Sequence, residues 1–134
     1  MKKYIIPLLI FSSLQAHSSE IDCQNAMTTY EMNFCANRET EEANTLLEKY
    51  LSKAKQKYKN ETAVITSLVK SQDAWIIYRK AHCDAIYEIW SGGTIRGVMF
   101  GGCMLQLTKQ RTHKIWNDYL TYMDSTPPML PETK

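Results

Sequence analysis

Proline is missing from most of this chain, and glycine is confined to one short stretch. The 134 residues contain no proline between Pro7 and Pro127, and all five glycines lie between Gly92 and Gly102. Both residue types interrupt helices, proline because it lacks a backbone donor and glycine because of its conformational freedom. Their absence over such a length predicts long helices broken at one place. It also excludes collagen-like and low-complexity chains, and the length fits one domain.

Residues 1–18 have the pattern of a secretory signal peptide. Two lysines precede an apolar run that ends at Leu14, and the small residues Ala16 and Ser18 mark a cleavage site. The apolar run is too short for a transmembrane helix. We therefore expect an exported protein, periplasmic or secreted, with no membrane span in its mature form.

An excess of charge is also lacking, because the loss of Lys2 and Lys3 leaves 14 basic and 14 acidic residues. Nucleic-acid binding needs surplus basic residues to contact phosphates, so this balance argues against it. The charges are nevertheless segregated: residues 20–48 carry seven acids and one base, and residues 49–80 carry eight bases and two acids. We expect the two blocks to face each other on antiparallel helices. The alternative is that the acidic block binds a basic partner.

Apolar residues recur at helical spacing in three segments, and no alternating strand pattern competes. The first predicted helix runs from about residue 22 to 58, with Asp22 or Ser19 as its N-cap. The second runs from about 63 to 90 and the third from about 102 to 123. The predicted fold class is all-α.

The helices are expected to form a hairpin plus a third helix in one small domain over residues 19–126. Ten residues of the second helix should point inward or nearly so: Ile65, Leu68, Val69, Gln72, Trp75, Ile76, Arg79, Cys83, Ile86 and Trp90. The prolines of residues 127–134 cannot continue a helix, so this segment is predicted to be a flexible tail.

The four cysteines of an exported chain indicate two disulfides, for which three pairings exist. Cys23 and Cys35 would lie about 18 Å apart on one helix, beyond the reach of a disulfide. In a hairpin that turns near residue 59, Cys35 faces Cys83. The expected pairs are therefore Cys35–Cys83 and Cys23–Cys103, which would staple the domain.

The spacing of the histidines and cysteines predicts neither a metal site nor a catalytic centre. No C-x-x-C pair or HExxH motif occurs, and adjacent His82 and Cys83 point to different faces of a helix. Two disulfides would consume every thiol and leave no cysteine nucleophile. We predict a protein that is not an enzyme and needs no metal or cofactor; an enzyme acting on the cell wall is the less favoured alternative.

Two arginines lie on predicted apolar helix faces. Arg79 follows Trp75 by one turn, and Arg111 interrupts the apolar side of the third helix. A guanidinium in such a place needs a carboxylate or several carbonyls. We expect ion pairs with Glu31 or Asp73, or stacking on tryptophan, and hence a structural role. Ligand recognition is the alternative.

The glycine-rich segment 91–102 is the most unusual part of the sequence, because glycine permits backbone conformations that other residues avoid. One interpretation is a wide turn between two helices. The other is a protruding loop, held near Cys83 and Cys103, that presents side chains to a partner's cleft. The two are compatible. The candidate partner-binding residues are Gly92, Gly93, Thr94 and Arg96.

Several motifs follow one another in a specific order. They are Asp22-Cys23, Tyr30-Glu31-Met32-Asn33-x-Cys35-Ala36, Gln72-Asp73-Ala74-Trp75-Ile76-x-Tyr78-Arg79-x-x-x-Cys83, Gly92-Gly93-Thr94-Ile95 and Cys103-x-x-x-Leu107-Thr108-x-x-Arg111. In this combination the chain resembles the LprI-type lysozyme-inhibitor family over about residues 20–122. The resemblance implies a small, exported, all-helical, disulfide-bonded bacterial domain that inhibits lysozyme.

Inhibition of this kind has a physical basis in the cleft of lysozyme, a muramidase that holds one protonated and one ionised carboxyl group. A loop inserted there would donate hydrogen bonds from Thr94 and Arg96 to those groups. The expected partner is lysozyme or another secreted hydrolase. The alternative function is an immunity or cell-envelope binding protein that neutralises another secreted hydrolase.

Overall fold

Three helices make up the domain. The structure is a computed structural model that describes residues 21–133, so the predicted signal peptide and Ser19 lie outside the described residues. Helix α1 spans Thr29–Lys57, α2 spans Thr62–Ile89 and α3 spans Arg96–Ile115; a π-helical turn over Trp116–Leu120 extends α3. No strand occurs among the described residues. The predicted all-α fold of three helices and two disulfides is confirmed.

Helix α1 begins at Thr29, later than the sequence pattern predicted, because a capping box precedes it. Oγ1 of Thr28 accepts a hydrogen bond from the backbone N–H of Glu31 (3.2 Å), and Oε2 of Glu31 accepts one from the backbone N–H of Thr28 (2.9 Å). Asp22 is not the N-cap that we predicted. Its carboxylate accepts from the backbone N–H of Gln24 (3.0 Å) and closes a local turn ahead of the helix.

The disulfides join cysteines other than the predicted pairs. Cys23 bonds to Cys35, and Cys83 bonds to Cys103, with Cα–Cα distances of 5.5 and 5.7 Å. The predicted Cys35–Cys83 and Cys23–Cys103 bonds are wrong because Cys23 precedes α1, and the turn ahead of Thr28 brings it back beside the helix. Each bond constrains the unfolded chain by about 3 kcal/mol in the loop-entropy model.

Helix α3 packs on both other helices, whereas α1 and α2 approach each other at few points. The Cys83–Cys103 bond joins the second half of α2 to the first half of α3. Nearer the other end of both helices, Nε of Arg111 donates a hydrogen bond to Oε1 of Gln72 (2.9 Å). Helices α2 and α3 are therefore antiparallel.

Two glycines allow α1 and α3 to run side by side at close range. A Cβ at Gly101 would lie 2.8 Å from the Cβ of Ala36, and a Cβ at Gly97 would collide with the side chain of Asn33. From the first contact to the second, the residue numbers increase along both helices, so α1 and α3 are parallel. The sequence pattern placed the helix start after this stretch, but α3 begins at Arg96 because close packing offsets the low helix propensity of glycine.

The apolar core gathers at the end of the bundle where α1 turns into α2. Its buried side chains are Leu47, Tyr50, Leu51, Ala54, Leu68, Ile115 and Leu120. Of the α2 residues predicted to point inward or nearly so, Leu68 and Cys83 are buried, whereas Val69, Ile76 and Trp90 are exposed. Because α2 packs mainly on α3, the face of α2 that carries Val69 and Ile76 has little to cover it.

The C-terminal segment 127–133 lies against the helices rather than leaving them. Nε1 of Trp116 donates a hydrogen bond to the carbonyl of Leu130 (2.9 Å), and the hydroxyl of Tyr50 donates to the carbonyl of Pro131 (2.7 Å). Leu130 also packs against the core. These contacts differ from the loose tail expected of a proline-rich segment, because proline prevents a helix but leaves its carbonyl free to accept.

Replacing Gly101 by alanine tests the close approach of α1 and α3. The new methyl group would meet the Cβ of Ala36, which cannot rotate away, so we expect the free energy of unfolding to fall by about 1–3 kcal/mol. Gly102→Ala is the matched control, because a Cβ there has no neighbour within 4 Å. It should raise the free energy of unfolding by up to about 1 kcal/mol through helix propensity. Urea unfolding measures the free energy of unfolding of both variants. Equal changes in the two would contradict the close packing of Gly101 against Ala36.

Candidate partner-binding site

The connection between α2 and α3 is a short turn over residues 90–95. The backbone N–H of Gly93 donates a hydrogen bond to the carbonyl of Trp90 (3.0 Å), and neither glycine of the turn has a positive φ. Gly92, Gly93 and Thr94 are exposed. The predicted glycine-rich loop is thus divided, since its first residues form this turn and its remaining residues belong to α3.

Arg96 stands at the first position of α3 and folds back over the end of α2. Its guanidinium carbon lies 3.6 Å from the ring centroid of Tyr87, and its Nη2 lies 3.4 Å from Oε1 of Glu88. The Nε atom is buried and has no hydrogen-bond partner. Thr94 and Arg96 therefore share one end of the bundle, with the threonine free at the surface and the arginine held flat on a tyrosine.

Trp75 lies between two guanidinium groups at mid-height of the bundle. The guanidinium carbons of Arg79 and Arg111 are 4.6 and 5.9 Å from its ring centroid. Nη1 of Arg79 donates to Oδ1 of Asn44 in α1 (2.7 Å) and to Oγ1 of Thr108 in α3 (2.6 Å). This one side chain of α2 thereby ties all three helices together.

Both arginines have neutral partners. Besides its bond to Gln72, Arg111 donates from Nη2 to Oγ of Ser71 (2.7 Å). The expected ion pairs with Glu31 or Asp73 are wrong, because Glu31 caps α1 and Asp73 forms no ion pair within residues 21–133. Burial lowers the pKa of both guanidinium groups. The second expectation, stacking on tryptophan, describes the observed contacts.

The two groups of predicted site residues lie apart. Arg79 precedes Trp90 by 11 residues of α2, a rise of about 16 Å along the helix axis. The arginine–tryptophan contacts therefore lie half-buried at mid-height of the bundle, while the turn, with Thr94 and Arg96, lies at its end.

The acidic block lies on the first half of α1, and the basic block runs from the second half of α1 into α2. Exposed Glu39, Glu41 and Glu42 belong to the first half of α1, and Lys55 and Lys57 belong to its last turn. No ion pair of the described chain joins the acidic block to the basic block, so the predicted pairing of the blocks is wrong. The first half of α1 packs beside the first turns of α3, so the α2–α3 turn lies at the acidic end of the molecule.

A groove of about 430 Å³ between α1 and α3 offers another surface. Leu46 and Leu105 line its floor, and Glu39 and Lys109 lie on its walls. The C-terminal segment contributes Glu132, which lies 3.9 Å from Nδ1 of His113. Because carboxylates and an ammonium line the groove together, it has no single charge to select a partner.

Histidine and cysteine side chains are engaged in packing. His82 stacks on Tyr78 with ring centroids 5.6 Å apart, and all four cysteines are in disulfides. Within residues 21–133 no three metal-ligating side chains come together. In the same part of the chain, every helix is too short or too polar to cross a membrane.

Comparison with protein families decides the identity of the domain. A family model described as lysozyme inhibitor LprI matches residues 21–115. The chain belongs to the LprI family. An uncharacterized protein of Rhizobium meliloti (strain 1021) is 28% identical over 111 residues, which cover 75% of this chain and 80% of the relative. No solved structure gives a significant match.

Membership of the LprI family implies a lysozyme inhibitor, with lysozyme as the protein partner. The matched residues include both disulfides, the arginine–tryptophan contacts and the α2–α3 turn, whereas the C-terminal segment lies beyond them. Disulfides persist in oxidising compartments, so the two bonds and the family together indicate an extracytoplasmic protein.

The start of α1 contributes surface residues that the sequence interpretation missed. Met27, Tyr30 and Phe34 are exposed beside the α2–α3 turn. The signal was present in the sequence, since Thr28-x-x-Glu31 is a capping-box pattern. This pattern predicts that α1 begins directly after Thr28, which leaves these apolar side chains at the exposed start of the helix.

Arg79→Lys tests whether the arginine–tryptophan contacts hold the LprI fold together. Nη1 of Arg79 donates to both Asn44 and Thr108 while the guanidinium lies over the Trp75 ring. An ammonium has no planar group to stack on the ring, so we expect the free energy of unfolding to fall by about 1–3 kcal/mol. Arg38→Lys is the control, because the ion pair of Arg38 with Glu42 is exposed and spans 3.9 Å. It should change the free energy of unfolding by less than about 0.5 kcal/mol. If thermal and urea unfolding give equal values for the two variants, the contacts have no structural importance.

Proposed function

We propose that this protein is an exported, non-enzymatic inhibitor that binds lysozyme in the periplasm or outside the cell. The single observation that carries the proposal is the match of the LprI family model to residues 21–115, nearly the whole described domain. The fold agrees with it, because a bundle fastened by two disulfides suits a small protein that must act in an oxidising compartment.

The proposed inhibitory element is the α2–α3 turn with the first residue of α3. Thr94 is exposed and has a hydroxyl to donate, and Arg96 carries a guanidinium at the same end of the molecule. Lysozyme acts through two carboxyl groups of different protonation state in one cleft. A hydroxyl and a guanidinium are suitable donors to such a pair, and Arg96 would contribute the stronger, charge-assisted hydrogen bond.

Arg96 must exchange its intramolecular partner in order to bind a carboxylate of the enzyme. Its present partner, Glu88, has a side chain that is 72% exposed, at a distance of 3.4 Å. Exposed ion pairs contribute little to stability, so this exchange costs little. Tyr87 would keep the guanidinium in place through its ring while the carboxylate partner changes.

Charge supports the approach of the two proteins. The turn lies at the acidic end of the domain, and lysozyme is a basic protein, so the field of this end favours the productive orientation. The charge of the whole mature chain is balanced, which predicts modest long-range attraction. Salt should therefore weaken inhibition without abolishing it.

The proposal predicts that the oxidised mature protein inhibits lysis of a cell-wall substrate by lysozyme in a dose-dependent manner. A Thr94→Ala/Arg96→Ala variant should need about 10-fold or more protein for half-inhibition, because it loses a hydrogen bond to a charged group. Thr66→Ala/Lys70→Ala is the matched control, since both residues are exposed on α2 far from the turn. Inhibition by the turn variant equal to that of the parent would overturn the assignment of Thr94 and Arg96. If folded parent protein inhibits no type of lysozyme, the proposed function is wrong.

A further inference from the structure

Large apolar side chains are exposed around the α2–α3 turn. Met27, Tyr30 and Ile89 expose 86%, 73% and 73% of their surface. We call the following six exposed residues the turn-end patch: Met27, Tyr30, Phe34, Ile89, Trp90 and Ile95. Clustered exposed apolar surface on a small protein marks an interaction site.

The two halves of the turn-end patch come from distant parts of the sequence that the fold places side by side. The first half belongs to the start of α1 and the second to the turn. The side chain of Asn33 in α1 lies against Gly97 of α3, so the first turns of α1 are adjacent to the turn. Both halves of the patch therefore lie at the same end of the bundle.

Covalent bonds hold both halves in place. The Cys23–Cys35 disulfide fixes the segment before α1, and the capping box of Thr28 and Glu31 fixes where the helix begins. The Cys83–Cys103 disulfide fixes the helices on either side of the turn. Side chains on a surface ordered before binding lose less entropy when they bind, so this patch is prepared for a partner.

Three carboxylates lie next to the patch. Asp22, near Arg38, and Glu31 adjoin its α1 half, and Glu88, which pairs with Arg96, adjoins its turn half. Hydrogen bonds lower the pKa of two of these carboxylates. The main cause at Asp22 is the hydrogen bond from the side chain of Asn25, and at Glu31 it is the hydrogen bond from the backbone N–H of Thr28. The lowered pKa favours the ionised form of both carboxylates. A complementary surface would be apolar at its centre and basic at its edge.

We propose that the turn-end patch is the main contact surface for a basic muramidase, with its apolar residues on the rim of the enzyme's cleft and its carboxylates facing the enzyme's basic surface. This inference rests on the proposed function and extends it, because it adds the start of α1 to the interface. A second copy of this chain is a poorer occupant, since the same carboxylates would face each other. An anionic membrane would repel them in the same way.

The test compares half-inhibition concentrations of oxidised parent and variants against a basic lysozyme. Tyr30→Ala/Ile89→Ala removes one large side chain from each half of the patch and leaves Thr94 and Arg96 unchanged. We expect it to need at least about 10-fold more protein than the parent, because a few large side chains, tyrosine among them, carry most of the binding energy of an interface. Ile77→Ala/Tyr122→Ala is the matched control, because these exposed residues lie outside the patch. It should stay within about 2-fold of the parent.

The experiment distinguishes failure of the turn-end patch from failure of the proposed function. If the parent inhibits and the patch variant inhibits equally, the turn-end patch is not the contact surface, while the proposed function stands. If the parent does not inhibit at all, the proposed function fails and this inference fails with it. Light scattering gives a further check: a parent dimer that the patch variant converts to a monomer would overturn the choice of a basic enzyme as occupant. Circular dichroism confirms that each variant is folded, which is expected because the replaced side chains are exposed.

Discussion

Helix α3 approaches α1 so closely at Ala36 that Gly101 has no room for a side chain. This contact sets the distance and the parallel direction of the two helices, and the rest of the arrangement depends on it. Cys35 and Cys103 each lie within two residues of this contact. The close approach therefore places one cysteine of each disulfide at the same level of the bundle. Through these disulfides, the turn before α1 and the turn before α3 come to lie at the same end.

The consequence is a molecule with two different ends. One end has the buried core, with Leu51 and Ile115 fully enclosed and the C-terminal segment lying over it. The other end is held by disulfides and helix contacts and leaves large apolar side chains in solvent. The buried core is thus separated in space from the end that we propose as the contact surface for a partner. The arginine–tryptophan contacts connect the two ends at mid-height.

Sequence patterns predicted the fold class and the bounds of α2 well, because a polar turn near Asn60 and the first glycines interrupt an otherwise continuous helical pattern. They failed where tertiary contacts overrule local preference. Gly97 and Gly101 are poor helix formers, yet they are helical because the neighbouring helix requires small residues there. The cysteine pairing failed for a local reason, as a missed capping box at Thr28 extended the helix through Cys23. Arg79 was correctly judged to need acceptors, but periodicity alone does not reveal that Asn44 and Thr108 supply them.

The central claim is that the end of the bundle formed by the start of α1 and the α2–α3 turn is the surface that meets lysozyme. Hydrogen–deuterium exchange of the oxidised protein, with and without saturating lysozyme, tests it most directly because it reports every backbone amide at once. We expect slower exchange on binding in residues 22–34 and 87–96, with little change elsewhere. Slower exchange confined to the groove between α1 and α3, around Leu46 and Leu105, would contradict it.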